Sequence, residues 1–182
     1  MTRLKPSCRA SAAIDRTPPI ITITGFTDGA QLRSPVIPVF SATDLNLGAV
    51  TAALNGQPFA SGTTVATDGA WTLVVTATDL AGNVSTATAG FTLDQVAPSI
   101  SVTGVFDGQL SRLNLVPIIN ASDPFVATLN GASFASGTTL GAEGDYTLVV
   151  LATDAAGNVT SLTVQFTIDK TPPLITIADF TD

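Results

Sequence analysis

Thr72-Leu-Val-Val-Thr-Ala-Thr-Asp-Leu-Ala-Gly-Asn-Val84 returns 75 residues later as Thr147-Leu-Val-Val-Leu-Ala-Thr-Asp-Ala-Ala-Gly-Asn-Val159. In the first copy Trp71, Leu73, Val75 and Ala77 alternate with threonines and valine. A period of two marks a β-strand with one buried face. The Asp-x-Ala-Gly-Asn that follows is turn chemistry, and Val84 opens the next strand.

The repetition extends in both directions. Leu-Asn-Gly-x-x-Phe-Ala-Ser-Gly-Thr-Thr occurs at 54–64 and at 129–139. Asp15-Arg-Thr-Pro-Pro-Ile-Ile-Thr-Ile-Thr-Gly25 returns as Asp94-Gln-Val-Ala-Pro-Ser-Ile-Ser-Val-Thr-Gly104, and again as Asp169-Lys-Thr-Pro-Pro-Leu-Ile-Thr-Ile177. The spacings are 79 and 75 residues. The four-residue difference lies in one loop, where Asp44–Asn55 corresponds to the shorter Asp123–Asn130. A period near 80 is too long for a solenoid coil and suits a self-contained small domain. The chain therefore reads as an irregular leader (1–14), repeat 1 (15–93), repeat 2 (94–168) and the first strand of a third repeat (169–182). The expected fold class is all-β, with tandem seven-stranded sandwiches.

In repeat 1 the expected strands are A at 20–24, B at 36–42, C at 49–54, D at 58–60, E at 63–66, F at 71–78 and G at 84–93. Asn55-Gly56 is a hairpin signal, since both residues tolerate the positive φ of a type I′ turn. Pro38 argues for an edge or bulged position in strand B.

Charge and composition exclude several functions. The net charge is −7, and only 12% of residues are charged while 45% are hydrophobic. Four of the seven basic residues fall within the first sixteen, so beyond them three basic residues face thirteen acids. Nucleic acid and anionic membrane surfaces are poor partners for such a body, and cations are suitable ones. No run of 18 apolar residues offers a direct membrane insertion. There is no histidine and one cysteine, Cys8, so neither a His-based triad nor an intrachain disulfide can form. Loop-tip aspartates offer no cleft for acid–base glycoside hydrolysis, and catalysis is not expected.

The Asp-x-Thr-Pro-Pro opening, the Leu-Asn-Gly hairpin and the Gly-x-Trp/Tyr-Thr-Leu…Ala-x-Asp-x-Ala-Gly-Asn close resemble the bacterial immunoglobulin-like repeats of large adhesins and secreted enzymes. The inter-sheet disulfide and the strand-C tryptophan of animal immunoglobulin domains are missing. Trp71 and Tyr146 stand where a tyrosine corner would be. A tryptophan lacks the phenolic hydroxyl, so these two read as core packing.

Thirteen of the fourteen acids are aspartates, almost all in turns. Turn capping accounts for many of them. Strand order gathers others. At the junction of repeats 1 and 2 it directs Asp28 and Asp94 from one side towards Asp123, Asp154 and Asn158 from the other. At the N-terminal pole it collects Asp15, Asp44, Asp79 and Asn83. Converging carboxylates suit Ca²⁺, which takes six to eight hard oxygen ligands in irregular geometry. The resemblance implies calcium between domains, stiffening the linkers. Pro18-Pro19 and Pro172-Pro173 stiffen them without metal, whereas the middle linker retains only Pro98.

The expected function is that of a structural stalk or spacer in a surface-exposed or secreted bacterial protein, adhesive in some settings. Its partners would be neighbouring repeats, identical subunits, or a cell-surface or carbohydrate ligand. Two alternatives use other features. A filament subunit would assemble by strand addition through the segment at 174–177. A carbohydrate-binding module would need an exposed aromatic platform, for which one Trp and one Tyr give little material.

Overall fold

The computed structural model describes residues 14–176. The expected leader and Cys8 therefore lie outside the described residues, apart from Ile14. The chain divides into two compact units between Asp94 and Gln95. Among the described residues every element is a strand, and each unit has seven.

In the first unit β1 (Ile20–Thr24) pairs antiparallel with β3 (Val39–Thr43) as a small sheet. A five-stranded sheet runs in the order β2 (Ala30–Leu32), β7 (Val84–Leu93), β6 (Gly69–Asp79), β4 (Leu47–Leu54), β5 (Gln57–Pro58). The second unit repeats this plan. β8 (Ile100–Thr103) pairs with β10 (Ile118–Ala121), and the larger sheet runs β9 (Gln109–Ser111), β14 (Val159–Ile168), β13 (Gly144–Thr153), β11 (Phe125–Leu129), β12 (Ala132–Ser133). This is an immunoglobulin-type sandwich with one alternating face of each sheet turned inward. Leu73, Val75 and Ala77 on β6 are wholly buried, as are Leu148, Val150 and Ala152 on β13. In the first sandwich Leu73 and Val75 share one core cluster, against which Ile21, Ile23 and Phe40 of the small sheet pack.

Two segments differ from the expected strands. Strand E shrinks to a single bridge, Val36 with Val65, matched by Leu115 with Leu140. The Ala-Ser-Gly turn is the reason. The Ser61 hydroxyl accepts from Phe40 N at 2.8 Å and donates to Phe40 O at 3.0 Å, satisfying the edge of β3 that strand E would have covered. Ser136 accepts from Ile119 N in the same way. The seventh strand is instead β2, which lies parallel to β7, as β9 does to β14. Asp28 and Asp107 start these pairings, their carboxylates accepting from Gly90 N and Gln165 N on the neighbouring strand. Residues 171–176 form no strand, and Leu174 and Ile175 are exposed. Ile177, the last residue of the expected third-repeat strand, lies outside the described residues.

The hairpins follow the sequence closely. Asn55 and Gly56 both have positive φ, 47° and 78°, as a type I′ turn requires. The Asn55 side chain also ties the hairpin to β6, accepting from Thr72 N at 2.8 Å and donating to Ala70 O at 2.9 Å. Asn130 does the same with Thr147 and Asp145.

Trp71 and Tyr146 pack against the two cores as expected, and each also makes a hydrogen bond that the core-packing reading left out. Tyr146 donates its hydroxyl to Ala142 O at 2.8 Å, four residues upstream. Trp71 makes the matching bond from Nε1 to Thr67 O at 3.0 Å. The indole N–H thus replaces the phenol in a corner-type contact. Tyr146→Phe keeps the ring stacked on Phe166, with centroids 5.2 Å apart, and removes only this bond. The expected loss is about 1 kcal/mol in the second unit by denaturant unfolding. A change within error would mean that the bond contributes nothing net.

Candidate metal centre

The N-terminal pole of the first sandwich is built by three segments. Asp15 precedes β1, Asp44 follows β3, and Asp79 ends β6. Each offers a carboxylate oxygen within 4.8 Å of the other two. The loop unique to repeat 1 makes this possible. Leu45–Gly48 is the four-residue insertion, and it carries β4 past a register shift so that Leu47 pairs with Asp79. Leu80 N then donates to Asn46 O at 2.8 Å. A side chain on Gly48 would press against Thr78 O and the Asp79 carbonyl, so only glycine lets the loop lie this close.

Hydrogen bonds orient the carboxylates. Asp15 accepts from Thr17 N at 3.0 Å and from Asn46 Nδ2 at 3.2 Å. Asp44 accepts from Asn46 N at 2.8 Å. Asp79 is buried, and its Oδ1 accepts from Ala81 N at 2.9 Å and Asn83 N at 2.8 Å. Asn83 Nδ2 donates to Asp79 Oδ2 at 2.7 Å and to Asp15 O at 3.3 Å. Asn83 therefore faces the acids with its NH₂ group. It holds the loop together rather than presenting the amide oxygen expected of a ligand.

Three carboxylates so placed fit one shared cation. Oxygens on opposite sides of a calcium ion are about 4.8 Å apart, twice a contact of about 2.4 Å. The set would supply three to six oxygens, depending on denticity, with waters completing the shell. Beside it Ile14, Ile20, Thr43 and Leu45 line an open depression of about 700 Å³. Asn46 is the residue that the sequence reading passed over. Its signal was present, because the inserted loop is the one place where the repeats differ in length.

The residues assigned from sequence to the junction occupy the following places within their own units. Asp28 sits beside Gly90, and Asp94 directly follows β7, with its N–H donating to Leu32 O. Gly90 and Asp94 are four residue steps apart along the chain, about 13 Å at the usual strand rise. In the second unit Asp154 Oδ1 accepts from Asn158 N at 2.8 Å and its Oδ2 from Asn158 Nδ2 at 2.8 Å, the Asp79–Asn83 arrangement again. Asp123 accepts from the Ser122 hydroxyl at 2.7 Å.

Burial pushes the Asp79 and Asp154 carboxyls up, but hydrogen bonds from the Asn side chain and from backbone N–H groups outweigh it, and both end below the ordinary 3.8. A carboxyl whose pKa is lowered by folding stabilises the fold above the unfolded value. That stabilisation is lost as pH falls through the folded value. Between pH 6 and pH 3 the second unit of Asp154→Asn should therefore lose less stability than wild type. Equal losses measured by urea unfolding at the two pH values would refute this.

The two sandwiches define the class of the protein: tandem immunoglobulin-like β-repeats. The chain is built of bacterial immunoglobulin-like domains. Residues 16–95 match the family described as bacterial Ig-like domain, and residues 133–182 match bacterial Ig-like domain (group 3). No curated protein is matched in sequence. Among solved structures, the fibronectin(III)-like modules of Clostridium thermocellum CbhA are similar at 14% identity and a TM-score of 0.43, covering 82% of this chain and 94% of that one. Dimeric latent PorU from Porphyromonas gingivalis is similar at 14% identity and 0.40, over 92% of this chain and 22% of that one. A Ca²⁺-stabilized adhesin with which an Antarctic bacterium binds ice is similar at 19% identity and 0.35, over 84% and 49%.

Proposed function

We propose that this chain is a non-enzymatic spacer segment of a surface-exposed or secreted bacterial protein, stiffened by calcium at the pole of its first sandwich. Family membership supports the spacer role, since the chain joins one closed sandwich to the next. The carboxylate oxygens of Asp15, Asp44 and Asp79, mutually within 4.8 Å, carry the calcium reading. Bound calcium would tie the segment before β1 to the loops after β3 and β6. It would thus fix the path by which the chain enters the sandwich.

The carbohydrate-module alternative draws little support from Trp71 and Tyr146, which are half-buried with their polar atoms engaged by backbone. Strand addition keeps only the exposure of Leu174 and Ile175 as support.

The test is thermal unfolding of the whole chain with calcium and with chelator. A calcium-dependent rise in the midpoint of the first unit is expected. Superimposable curves would sink the calcium reading and leave the spacer reading standing.

A further inference from the structure

Asn55-Gly56 and Asn130-Gly131 are the only Asn-Gly pairs in the chain, and they stand at the same place in the two repeats. An asparagine before glycine is chemically the most prone to lose its side-chain amide, because no side chain on the glycine shields the attacking backbone nitrogen. A bond forms between the glycine N and the asparagine Cγ. The Cγ–Nδ2 bond breaks, and ammonia leaves with the proton of the glycine N–H. Water then opens the five-membered imide at one of its two carbonyls. The product is aspartate or isoaspartate, in which the backbone runs through Cβ and Cγ.

Burial does not protect these pairs, since all four residues are exposed. Crowding does not protect them either, because nothing lies within 4 Å of a Cβ placed on Gly56 or Gly131. Hydrogen bonds do. Asn55 N donates to Thr72 O at 2.9 Å, its Oδ1 accepts from Thr72 N at 2.8 Å, and its Nδ2 donates to Ala70 O at 2.9 Å. Asn130 makes the same three bonds to Thr147 O, Thr147 N and Asp145 O, at 2.9, 2.7 and 3.0 Å. The leaving nitrogen is thus engaged by β6 or β13, and ring closure must take the carboxamide from both partners. The backbone opposes closure as well. An imide ring holds Cβ and the glycine N eclipsed about the asparagine Cα–C bond. The turns at Asn55 and Asn130, with φ of 47° and 48°, hold these atoms far from eclipsed.

We propose that Asn55 and Asn130 are fold-gated modification sites, each protected in its closed hairpin and deamidated when its own sandwich opens. The mark is permanent, because reversal would need ammonia and an activated carboxyl. It also changes the repeat that carries it. An aspartate at 55 still accepts from Thr72 N, but its second oxygen faces Ala70 O, where a donor stood. An isoaspartate adds a backbone carbon to a two-residue turn whose length sets the register of β4 with β5. A repeat that has once stayed open therefore closes less firmly than one that has not. This inference uses neither the spacer role nor the calcium centre.

The test follows aspartate and isoaspartate at both sites by mass spectrometric peptide mapping, with the full chain held in mildly alkaline buffer. Deamidation of the native chain should be slower than that of the denaturant-unfolded chain by at least about tenfold, since two side-chain hydrogen bonds must break together. Equal rates would overturn the proposal. Gly104→Ala then separates the two sites within one molecule, because its added carbon collides with the Val116 carbonyl in the second sandwich alone. Where amide exchange shows that unit loosened, Asn130 should deamidate faster while Asn55 keeps its native rate. Acceleration at both sites, or at neither, would show that opening of the sandwich is not the gate. The denaturant comparison needs no variant and decides by itself if Gly104→Ala cannot be produced.

Discussion

Asp44→Asn should leave the first sandwich folded and deaf to calcium. The asparagine keeps an oxygen for the Asn46 N–H that Asp44 Oδ1 now accepts, so the loop retains its turn. What it loses is one of three charges at a centre that depends on them. A ligand that binds only the folded state stabilises it by RT ln(1 + [L]/Kd), about 2.7 kcal/mol at a hundredfold excess over Kd. Wild type should gain about that much at saturating calcium, and the variant a small fraction of it. The measurement separates the two units without dissecting the chain. Trp71 is the only tryptophan and belongs to the first unit, so its fluorescence follows that unfolding alone. An equal calcium response in wild type and variant would show that Asp44 is no ligand. Its three-carboxylate centre would then fall as well.

Asp79 is the less useful substitution, for a physical reason. Its carboxylate receives two backbone N–H groups and the Asn83 amide. An asparagine in its place would set NH₂ against NH₂ at Asn83. Loss of calcium response would then be mixed with loss of the loop itself. Asp44 carries one hydrogen bond that its amide can keep, and so isolates the charge.

Much of this was legible in the sequence because each signal was local. Leu73, Val75 and Ala77 alternate over a strand long enough for period two to stand out. Asn55-Gly56 demands positive φ, and its repetition at Asn130-Gly131 confirms the register. The acids at the N-terminal pole followed from strand order, which fixes at which end each loop lies. β2 was not legible. Three residues are too few to show a period, and its partner β7 is parallel and some sixty residues away. Strand E was overcalled because Thr63–Ala66 has strand composition, while the decisive atom is one serine hydroxyl reaching across to Phe40. Nor does sequence reveal which end of the Asn83 amide faces Asp79. Two acceptors, Asp79 Oδ2 and Asp15 O, settle that, and they meet only in three dimensions.

Gly25→Ala and Gly104→Ala should each unfold or severely loosen the sandwich that contains them. These glycines stand where the chain leaves the small sheet, after β1 and β8, and crosses towards β2 and β9 on the large one. Both have the positive φ of that crossing, 98° and 82°. A methyl group at Gly25 would collide with the Ile37 carbonyl oxygen, and one at Gly104 with that of Val116. Neither carbonyl can retreat, because each precedes a proline, Pro38 or Pro117, whose side chain is fully buried in the core. Left-handed backbone costs an alanine about 1–2 kcal/mol, and overpacking against fixed backbone adds about 1–3 kcal/mol. A loss of about 3 kcal/mol or more is therefore expected, a large fraction of the stability of a domain this small. Gly29→Ala provides the control. Its φ is also positive, 77°, but nothing lies within 4 Å of the added carbon, so only the backbone term of about 1–2 kcal/mol applies. If Gly25→Ala and Gly29→Ala prove equally destabilising in chemical unfolding, close approach to Ile37 is not what requires the glycine. The crossing would then depend on backbone conformation alone.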